Sequence, residues 1–338
     1  MDAPIFIVGT PRSGTTLTAR ILGRHSRLFM PGEVHFFEDI YSRRRELGEP
    51  GNVPSRKMIL ERLATLYGRF NEPADQQRIE KLLADPAIRH ELESSCSTYR
   101  DIFSTFMEIQ ARSEGKLRWG NNAPRDLFNI MEIISFYPDA KILLCIRDVR
   151  DFLISYRDKW KATSAENVER LRVLYHPVVT SLLWKASARK IAVLPASLPG
   201  AHFMLLRYED LVGRPEPTVR KVCEFVGEAF EPDMLNIDSS NTSADTRGEG
   251  IFASSVGRWK GALAEADVQV AQLLTRKELK RLGYSIEKVR AGWTRVIGRF
   301  LSAPYAFRRA LAANRERRGP LLSYAIRRAS PFFRGKTS

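Results

Sequence analysis

The sequence predicts a three-layer α/β fold, in which helices cover both faces of a central parallel β-sheet. Three apolar runs support this prediction, at residues 4–8, 141–146 and 202–206. Short apolar runs bounded by polar residues are typical of strands buried on both faces, as the strands of parallel sheets are. Each run is followed by a stretch with helical spacing, and this alternation of strand and helix defines the α/β class.

The first run leads into residues 9–16, Gly-Thr-Pro-Arg-Ser-Gly-Thr-Thr. A strand, a glycine-bounded turn and a helix start place several backbone N–H groups around one anion. The spacing G-x-x-x-x-G matches a nucleotide-binding P-loop, which continues with Lys and then Ser or Thr. Here position 15 is Thr, and the positive charge lies inside the loop at Arg12. We therefore expect a P-loop-type fold without the lysine of an ATPase.

The hexapeptide Pro-Arg-Ser-Gly-Thr-Thr at residues 11–16 resembles the 5′-phosphosulfate-binding loop of sulfotransferases that use 3′-phosphoadenosine 5′-phosphosulfate (PAPS). It matches, letter for letter, the loop of the Golgi tyrosylprotein enzymes and of many bacterial relatives. The resemblance implies that the 5′-phosphosulfate of PAPS is held by the loop residues Arg12, Ser13, Gly14, Thr15 and Thr16. Two other interpretations stay open for the loop alone: a turn that binds nothing, and an ordinary NTP-binding P-loop.

The second apolar run, Lys141–Ile146, ends in Arg147, where an NTPase needs a carboxylate to hold Mg²⁺. Asp148 and Asp151 suit the N-cap and first turn of a following helix, and Ser155 lies about two turns into it. Arginine offers a planar fork of donors that suits a phosphate monoester. Arg147 and Ser155 resemble the family's 3′-phosphate site. The alternative is that Arg147 pairs with Asp148 or Asp151 at the surface.

Glu33 follows the loop helix in an extended segment that is expected to return to the ligand-binding edge of the sheet. The tyrosylprotein branch has its catalytic Glu at the same distance from the loop Arg, so the resemblance implies that Glu33 is the base and that Arg12 is also catalytic. A carboxylate within hydrogen-bond reach can accept the proton of an attacking hydroxyl. The alternatives are that Glu33 pairs locally or that His35 is the base.

One motif departs from the family. Relatives often contain W-G-[DE]-K-[TS]-P, whose Lys stabilises charge near the transferred group, whereas residues 119–124 are Trp-Gly-Asn-Asn-Ala-Pro. Asn122, which replaces the Lys, can donate a hydrogen bond but carries no charge. The negative charge that develops on the bridging oxygen would then be stabilised by Arg12, the loop amides and a further cation, for which Arg118 and Arg125 are candidates.

Two downstream segments extend the resemblance. Residues 202–211 resemble the family strand that ends in Tyr-Glu-Asp-Leu, which would place Tyr208 at the nucleotide edge; a Tyr that packs its ring and bonds a backbone group is the alternative. Residues 254–260 resemble the Ser-Ser-x-Gly-Arg-Trp segment of bacterial relatives, which makes Arg258 a candidate for the 3′-phosphate. The Ser- and Thr-rich residues 239–246 and the flanking residues 247–250, Arg-Gly-Glu-Gly, suggest a mobile loop that closes over the nucleotide.

These anchors predict one catalytic domain over residues 1–289. Within it, residues 38–113 show helical spacing and no clear strand, so we expect a helical insertion that builds the acceptor pocket. Residues 170–193 and 215–226 read as further helices, the first of them broken at residues 176–177.

Charge is concentrated at the end of the chain. The whole sequence has a net charge of +15, and residues 290–338 hold twelve Lys or Arg and one Glu among many apolar residues. With Pro304, Pro320 and Pro331 as breaks, this tail predicts short basic amphipathic helices on an anionic membrane surface. A solvated tail is the alternative. No nucleic-acid motif accompanies the charge, so no nucleic-acid partner is expected.

The location expected from the sequence is cytoplasmic and peripheral to the inner membrane face. The first strand begins close to Met1, and no run approaches the ~18 apolar residues of a membrane span. The scattered Cys96, Cys145 and Cys223 read as reduced packing residues.

The predicted reaction transfers a sulfuryl group from PAPS to an acceptor hydroxyl on a lipid, glycan or natural product, releases adenosine 3′,5′-bisphosphate and needs no metal. A lipid or glycolipid is the first expectation, and a peptide tyrosine also stays open. A P-loop small-molecule kinase and a catalytically silent nucleotide-binding protein are the other interpretations of the same motifs.

Overall fold

The computed structural model describes residues 2–70, 73–162, 165–237 and 250–313. Its strands are β1 (Ile5–Gly9), β2 (Leu28–Phe29), β3 (Arg118–Asn122), β4 (Lys141–Ile146) and β5 (His202–Arg207). All neighbouring strands are parallel, in the order β2-β3-β1-β4-β5. The three strands predicted from apolar runs are confirmed as strands, and β1 lies at the centre of the sheet. The third, β5, was expected to be buried on both faces, but it is an edge strand and only partly buried.

The helices fill the chain between and after the strands. They are α1 (Thr15–Gly23), α2 (Arg44–Leu47), α3 (Val53–Phe70), α4 (Pro73–Ala84), α5 (Pro86–Ser95), α6 (Tyr99–Ser113), α7 (Ile130–Phe136), α8 (Val149–Arg157), α9 (Ala165–Val173), α10 (Pro177–Ser197), α11 (Tyr208–Gly213), α12 (Pro215–Val226), α13 (Trp259–Ala262), α14 (Glu265–Arg281) and α15 (Trp293–Ala313). A π-helical turn (Phe36–Ile40) and 3₁₀ turns, among them Pro124–Asn129, Asp158–Ala162 and Ala253–Ser255, complete the elements.

Alternating side chains of the buried strands face two hydrophobic cores, as the period of two in a strand requires. Phe6 and Leu144 belong to the larger core, which includes side chains of the helical insertion, α8 and α10. Ile7 and Leu143 belong to the other core, with α1, α11 and α12. Helices therefore cover both faces of the sheet, and the predicted three-layer α/β fold is confirmed.

The insertion between β2 and β3 is helical, from α2 to α6, in the part that the structure describes. The hydroxyl of Thr98 caps α6, where it accepts a hydrogen bond from the Asp101 amide at 3.1 Å in a reciprocal capping box. The α6 residues Phe103 and Met107 are buried in the larger core. The insertion is thus packed on the sheet rather than attached to it by a linker.

The C-terminal helix differs from the sequence prediction. We expected Pro304 to break the chain into short helices, but α15 continues through Pro304 to Ala313. It packs beside α10 and α14, with Val296 buried against Val270 and with Arg299 Nε 2.8 Å from Asp267 Oδ1. These tertiary contacts offset the hydrogen bond that proline removes from a helix. The rest of the predicted tail, residues 314–338, lies outside the described residues.

Candidate functional site

The loop after β1 wraps around the N-terminus of α1. Gly14, which precedes α1, has φ 84°, and Arg12 has φ 67°, a left-handed conformation that is uncommon for a residue with a Cβ. The Ser13 hydroxyl lies 2.5 Å from the Thr10 carbonyl oxygen and 3.2 Å from that of Cys145, so it holds the loop to itself and to β4. Thr15 is buried and Thr16 is exposed. The loop therefore presents backbone amides and the Arg12 side chain at the carboxyl edge of the sheet.

Arg12 contacts a residue from the second predicted subsite. Its Nε donates a hydrogen bond of 3.0 Å to Ser155 Oγ on α8. Burial lowers the pKa of Arg12, and the nearby positive charge of Arg147 lowers it further. The structure thus brings together the residues predicted to bind the two ends of one nucleotide. Two neighbouring cations that repel each other, one of them buried and the other partly buried, favour binding of an anion between them.

Arg147 occupies the end of β4 and is nearly fully buried. Its Nη2 donates to the carbonyl oxygen of Ser255, its guanidinium carbon lies 4.3 Å from the centre of the Tyr208 ring, and its own carbonyl accepts a 2.8 Å hydrogen bond from Trp184 Nε1. Its Nε is buried and has no hydrogen-bond partner within the protein. A buried donor without a partner is costly, and the phosphate of a bound ligand would satisfy it.

The alternative that Arg147 pairs at the surface does not agree with the structure. Asp148 instead accepts hydrogen bonds from Arg150 Nη2 and from the Arg150 amide, as expected for the N-cap of α8. Asp151 accepts from the amides of Gly257, at 2.7 Å, and Trp259, at 3.1 Å. Asp151 therefore fixes the segment that contains Arg258.

Tyr208 connects three parts of the site. Its ring packs so close to the loop that a Cβ added to Gly14 would lie 2.6 Å from Tyr208 Cδ2. The other contacts of the ring and hydroxyl are with Arg147 and with Ser255, whose Oγ lies 2.6 Å from the Tyr208 hydroxyl oxygen. The hydroxyl thus meets a side chain rather than the backbone group of the alternative interpretation. Arg258, three residues after Ser255, is half-buried.

Glu33 lies in a segment without regular structure, and its side chain is about one-third exposed. Its Oε2 is 3.0 Å from Nε2 of the buried His35. Burial by itself would lower the pKa of His35, but hydrogen bonds to Glu33 and Glu38 together outweigh burial and raise that pKa to about 10. His35 is therefore protonated at neutral pH and has no free lone pair with which to act as the rival base.

The two arginines proposed to replace the family Lys have carboxylate partners of their own. Arg118 is the first residue of β3, so it lies at the amino-terminal end of the strands, away from the loop. There it donates to Val226 O at 2.7 Å and pairs with Glu228 at 3.1 Å. That prediction was wrong because the strand direction separates Arg118 from Asn122. Arg125 forms an ion pair of 2.9 Å with Glu38.

The sequence reasoning missed Lys159. It lies in the 3₁₀ turn after α8, four residues beyond Ser155 and hence about one turn further along the chain. Desolvation lowers the pKa of Lys159, the charge of Arg12 lowers it further, and the charge of Glu33 raises it. Its side chain nevertheless remains exposed to solvent. Lys159 is therefore an accessible cation close to Arg12 and Glu33, the two residues that the sequence predicted to be catalytic.

Several buried oxygens at this edge of the sheet have no hydrogen-bond partner within the protein. They are Thr10 Oγ1 at the start of the loop and the Oδ1 atoms of Asn121 and Asn122 at the end of β3. Asn122 pairs in register with Ile7 of β1, so it lies beside the loop strand. These acceptors, like the Arg147 Nε, are groups that a polar ligand would satisfy.

The remaining predictions about the chemistry of the site concern metals and cysteines. Among the described residues, no cluster of His, Cys, Asp and Glu has the arrangement of a metal site. Cys96, Cys145 and Cys223 are buried free thiols, as the sequence predicted.

None of the described helices has the length and apolar character needed to cross a membrane. Most of the predicted mobile loop, residues 238–249, lies outside the described residues.

Comparison with known proteins agrees with the fold. The family model described as "Sulfotransferase family" matches residues 4–232, and the chain belongs to this family. The sulfotransferase domain from the curacin biosynthetic pathway has a similar structure, with a TM-score of 0.55, 20% sequence identity, and coverage of 85% of this chain and 99% of that domain. At this identity the structural similarity concerns the fold.

Two sequence relatives cover most of the chain. An uncharacterized protein of Aquifex aeolicus is 26% identical over 266 residues, which are 76% of this chain and 30% of that protein. The nodulation protein NoeE of Sinorhizobium fredii is 23% identical over 300 residues, which are 82% of this chain and 65% of that protein. The chain therefore spans less than two thirds of the length of either relative.

Proposed function

We propose that this protein transfers a sulfuryl group from PAPS to an acceptor hydroxyl and releases adenosine 3′,5′-bisphosphate. The observation that supports this proposal best is the pair of neighbouring arginines Arg12 and Arg147 at the carboxyl edge of the sheet. The positive charge of the pair suits a ligand with anionic groups at both ends. The unpartnered Arg147 Nε gives that ligand a donor which the protein itself leaves unused.

The donor would bind with its phosphosulfate at the loop and its 3′-phosphate at Arg147. In this arrangement Arg12 and the amides of residues 13–16 hold the 5′ end, where the start of α1 adds favourable backbone dipoles. Ser155 can accept from Arg12 Nε while its own proton points to a phosphate oxygen, so one hydroxyl serves both subsites. Tyr208 would flank the nucleotide, and Arg258 would add charge at the 3′-phosphate.

Glu33 is the proposed base. As the acceptor oxygen forms its bond to sulfur, the bond from sulfur to the bridging oxygen breaks, and the hydroxyl proton passes to Glu33. Negative charge then accumulates on the departing phosphate. Arg12, the loop amides and Lys159 are the groups placed to stabilise this charge. With these groups in place, the reaction does not require a cation at position 122. No step of this scheme requires a metal.

The acceptor is proposed to be a hydroxyl on a lipid, glycan or natural product. A lipid fits the exposed face of α15, where Trp293, Ile297, Leu301 and Tyr305 form an apolar stripe with exposed fractions of 53–77%. The helix has arginines and no acidic residue. We propose that this stripe rests on an anionic membrane surface from the cytoplasmic side.

A catalytically silent nucleotide-binding protein is the second candidate, and the uncharged Asn122 is the observation that favours it. Transfer of radiolabel from [³⁵S]PAPS to a panel of lipid, glycan and phenolic acceptors separates the two candidates. We expect turnover with at least one acceptor, its loss in Glu33→Gln, and no change in the control Glu265→Gln, which alters an exposed carboxylate on α14. Tight binding of adenosine 3′,5′-bisphosphate without turnover on any acceptor would favour the silent protein.

A further inference from the structure

We propose that His35 is a positioning residue, which with Glu38 and Arg125 behind it keeps Glu33 away from Arg12 and in place for proton abstraction. The inference rests on the proposed function, in which Glu33 is the base and Arg12 binds the donor. It concerns the state of the site before substrates bind, and it assigns a role to a buried histidine that the reaction itself does not use.

Four residues of alternating charge form a chain of contacts that ends at Glu33. Arg125 Nη1 lies 2.9 Å from Glu38 Oε1, and Glu38 Oε2 lies 3.4 Å from His35 Nδ1. On its other side, His35 Nε2 lies 3.0 Å from Glu33 Oε2. His35 is about 3% exposed, so its ring has little freedom to turn. Each member is therefore held by the next, and the last one held is the proposed base.

Glu33 needs such support because a stronger electrostatic partner lies nearby. Its charge acts on the buried guanidinium of Arg12, and a bidentate pair of Arg with a carboxylate is among the stronger hydrogen-bonded contacts in proteins. Glu33 lies in an irregular segment and is partly exposed, so its own backbone does not fix its rotamer. If Glu33 turned onto Arg12, the base would lose its free oxygen and the loop would lose the charge that attracts the donor.

The charge state of His35 allows it to hold both carboxylates. Its pKa of about 10 keeps the ring protonated at neutral pH, so that Nε2 donates to Glu33 and the protonated Nδ1 forms a longer ion pair with Glu38. Among the described residues, Asp126 in the 3₁₀ turn after β3 is a further acidic group that interacts with His35. Burial raises the pKa of Asp126 to about 8, so this carboxyl is largely neutral near pH 7 and does not compete for the ring.

Calorimetry with adenosine 3′,5′-bisphosphate tests this role on the full chain, independently of turnover. In His35→Phe we expect Glu33 to pair with Arg12, and affinity for the nucleotide to fall about tenfold, the effect of ~1.4 kcal/mol. The double variant His35→Phe/Glu33→Gln should bind as tightly as Glu33→Gln alone, because the neutral amide does not neutralise Arg12. His35→Gln keeps one side-chain N–H donor and places no aromatic ring in the polar site, so it is the variant that should disturb the surrounding packing less.

A matched control is His25→Gln, because His25 is also buried and lies 3.6 Å from a glutamate, Glu231, away from the site. It should leave nucleotide affinity unchanged. If His35→Phe and His35→Gln both bind like the wild type, or if the His35→Phe loss persists in the Glu33→Gln background, His35 does not act through Glu33. A wild type that fails to bind the nucleotide would instead contradict the proposed function.

NMR titration of His35 tests the charge chain even in that case. We expect a protonated ring at pH 8 in the wild type, and a lower His35 pKa in Glu33→Gln, where one of the two stabilising carboxylates is gone. A ring that is neutral at pH 8 would overturn the proposal. Where turnover is measurable, the fall of kcat as pH rises through about 10 should be smaller in His35→Gln than in the wild type, because only the part caused by loss of the ring proton is removed and the part caused by deprotonation of Lys159 stays.

Discussion

Replacing Gly14 by alanine should disturb the loop, Tyr208 and Arg147 together. At φ 84° an L-residue costs about 1–2 kcal/mol. The new Cβ would also lie 2.6 Å from Tyr208 Cδ2, so the ring must move. That movement weakens the hydroxyl contact with Ser255, at about 0.5–1.5 kcal/mol, and the cation–π contact with Arg147, at about 0.5–2 kcal/mol. Together these costs destabilise the protein by about 2–5.5 kcal/mol.

Gly227 provides the matched control, because it has φ 82° and nothing lies within 4 Å of an added Cβ. Gly227→Ala should therefore show the backbone cost alone, about 1–2 kcal/mol. The entropy that alanine removes from the unfolded chain is common to both variants and cancels in their difference. Denaturant unfolding gives the two free energies, and calorimetry gives the affinity for adenosine 3′,5′-bisphosphate.

Gly14→Ala should lose more stability than Gly227→Ala, and only Gly14→Ala should bind the nucleotide more weakly. Removing the ring in Tyr208→Ala should bring the added cost of Gly14→Ala down to that of Gly227→Ala, because the clash is then gone. Equal losses in the two glycine variants, with unchanged nucleotide affinity, would refute the inference that Tyr208 couples the loop to Arg147.

Three further variants test separate parts of the site. Arg147→Met should weaken binding of adenosine 3′,5′-bisphosphate about 10- to 100-fold and leave the affinity for AMP unchanged, since AMP lacks the 3′-phosphate; equal losses for both nucleotides would contradict the assignment. Lys159→Met should lower kcat about 10²- to 10³-fold, and Asn122→Lys should restore part of it, whereas Lys161→Met serves as the exposed control; a Lys159→Met enzyme as fast as wild type would exclude the role of that cation. Leu301→Glu should abolish flotation with anionic vesicles and preserve turnover, so undiminished flotation would exclude the apolar stripe as the membrane contact.

The parts of the fold that the sequence predicted are those in which a local pattern determines the structure. β1 and β4 are uninterrupted apolar runs, the pattern that is typical of strands buried on both faces. The loop is equally local, because its glycines and its position between strand and helix fix where its amides point. The end of β4 then located Arg147 without any knowledge of tertiary contacts.

Elements that depend on tertiary contacts were not predicted. β3 contains only one large apolar residue, Trp119, and it is a strand because it lies between β1 and β2. α15 continues through Pro304 because it packs beside α10 and α14. In both cases long-range packing overrides the local preference.

The same reason explains which site residues the sequence reasoning missed. In the sequence, the one feature that could have pointed to Lys159 was its position four residues after Ser155. Its proximity to Glu33 depends on how α8 lies against the loop, which the sequence does not show. His35 was considered as a base because histidine often serves as one. Its protonated state follows from two carboxylates, one of which, Glu38, is itself fixed by Arg125 from a different part of the chain.

The central claim is that Arg12 and Arg147 bind opposite ends of one adenosine nucleotide, and calorimetric titration tests it most directly. Adenosine 3′,5′-bisphosphate should bind with a stoichiometry of one, with the same affinity in Mg²⁺ and in EDTA, and more tightly than ATP or AMP. Arg12→Met and Arg147→Met should each weaken this binding. Tighter binding of ATP that depends on Mg²⁺, with no preference for the 3′-phosphate, would contradict the claim and favour a P-loop kinase.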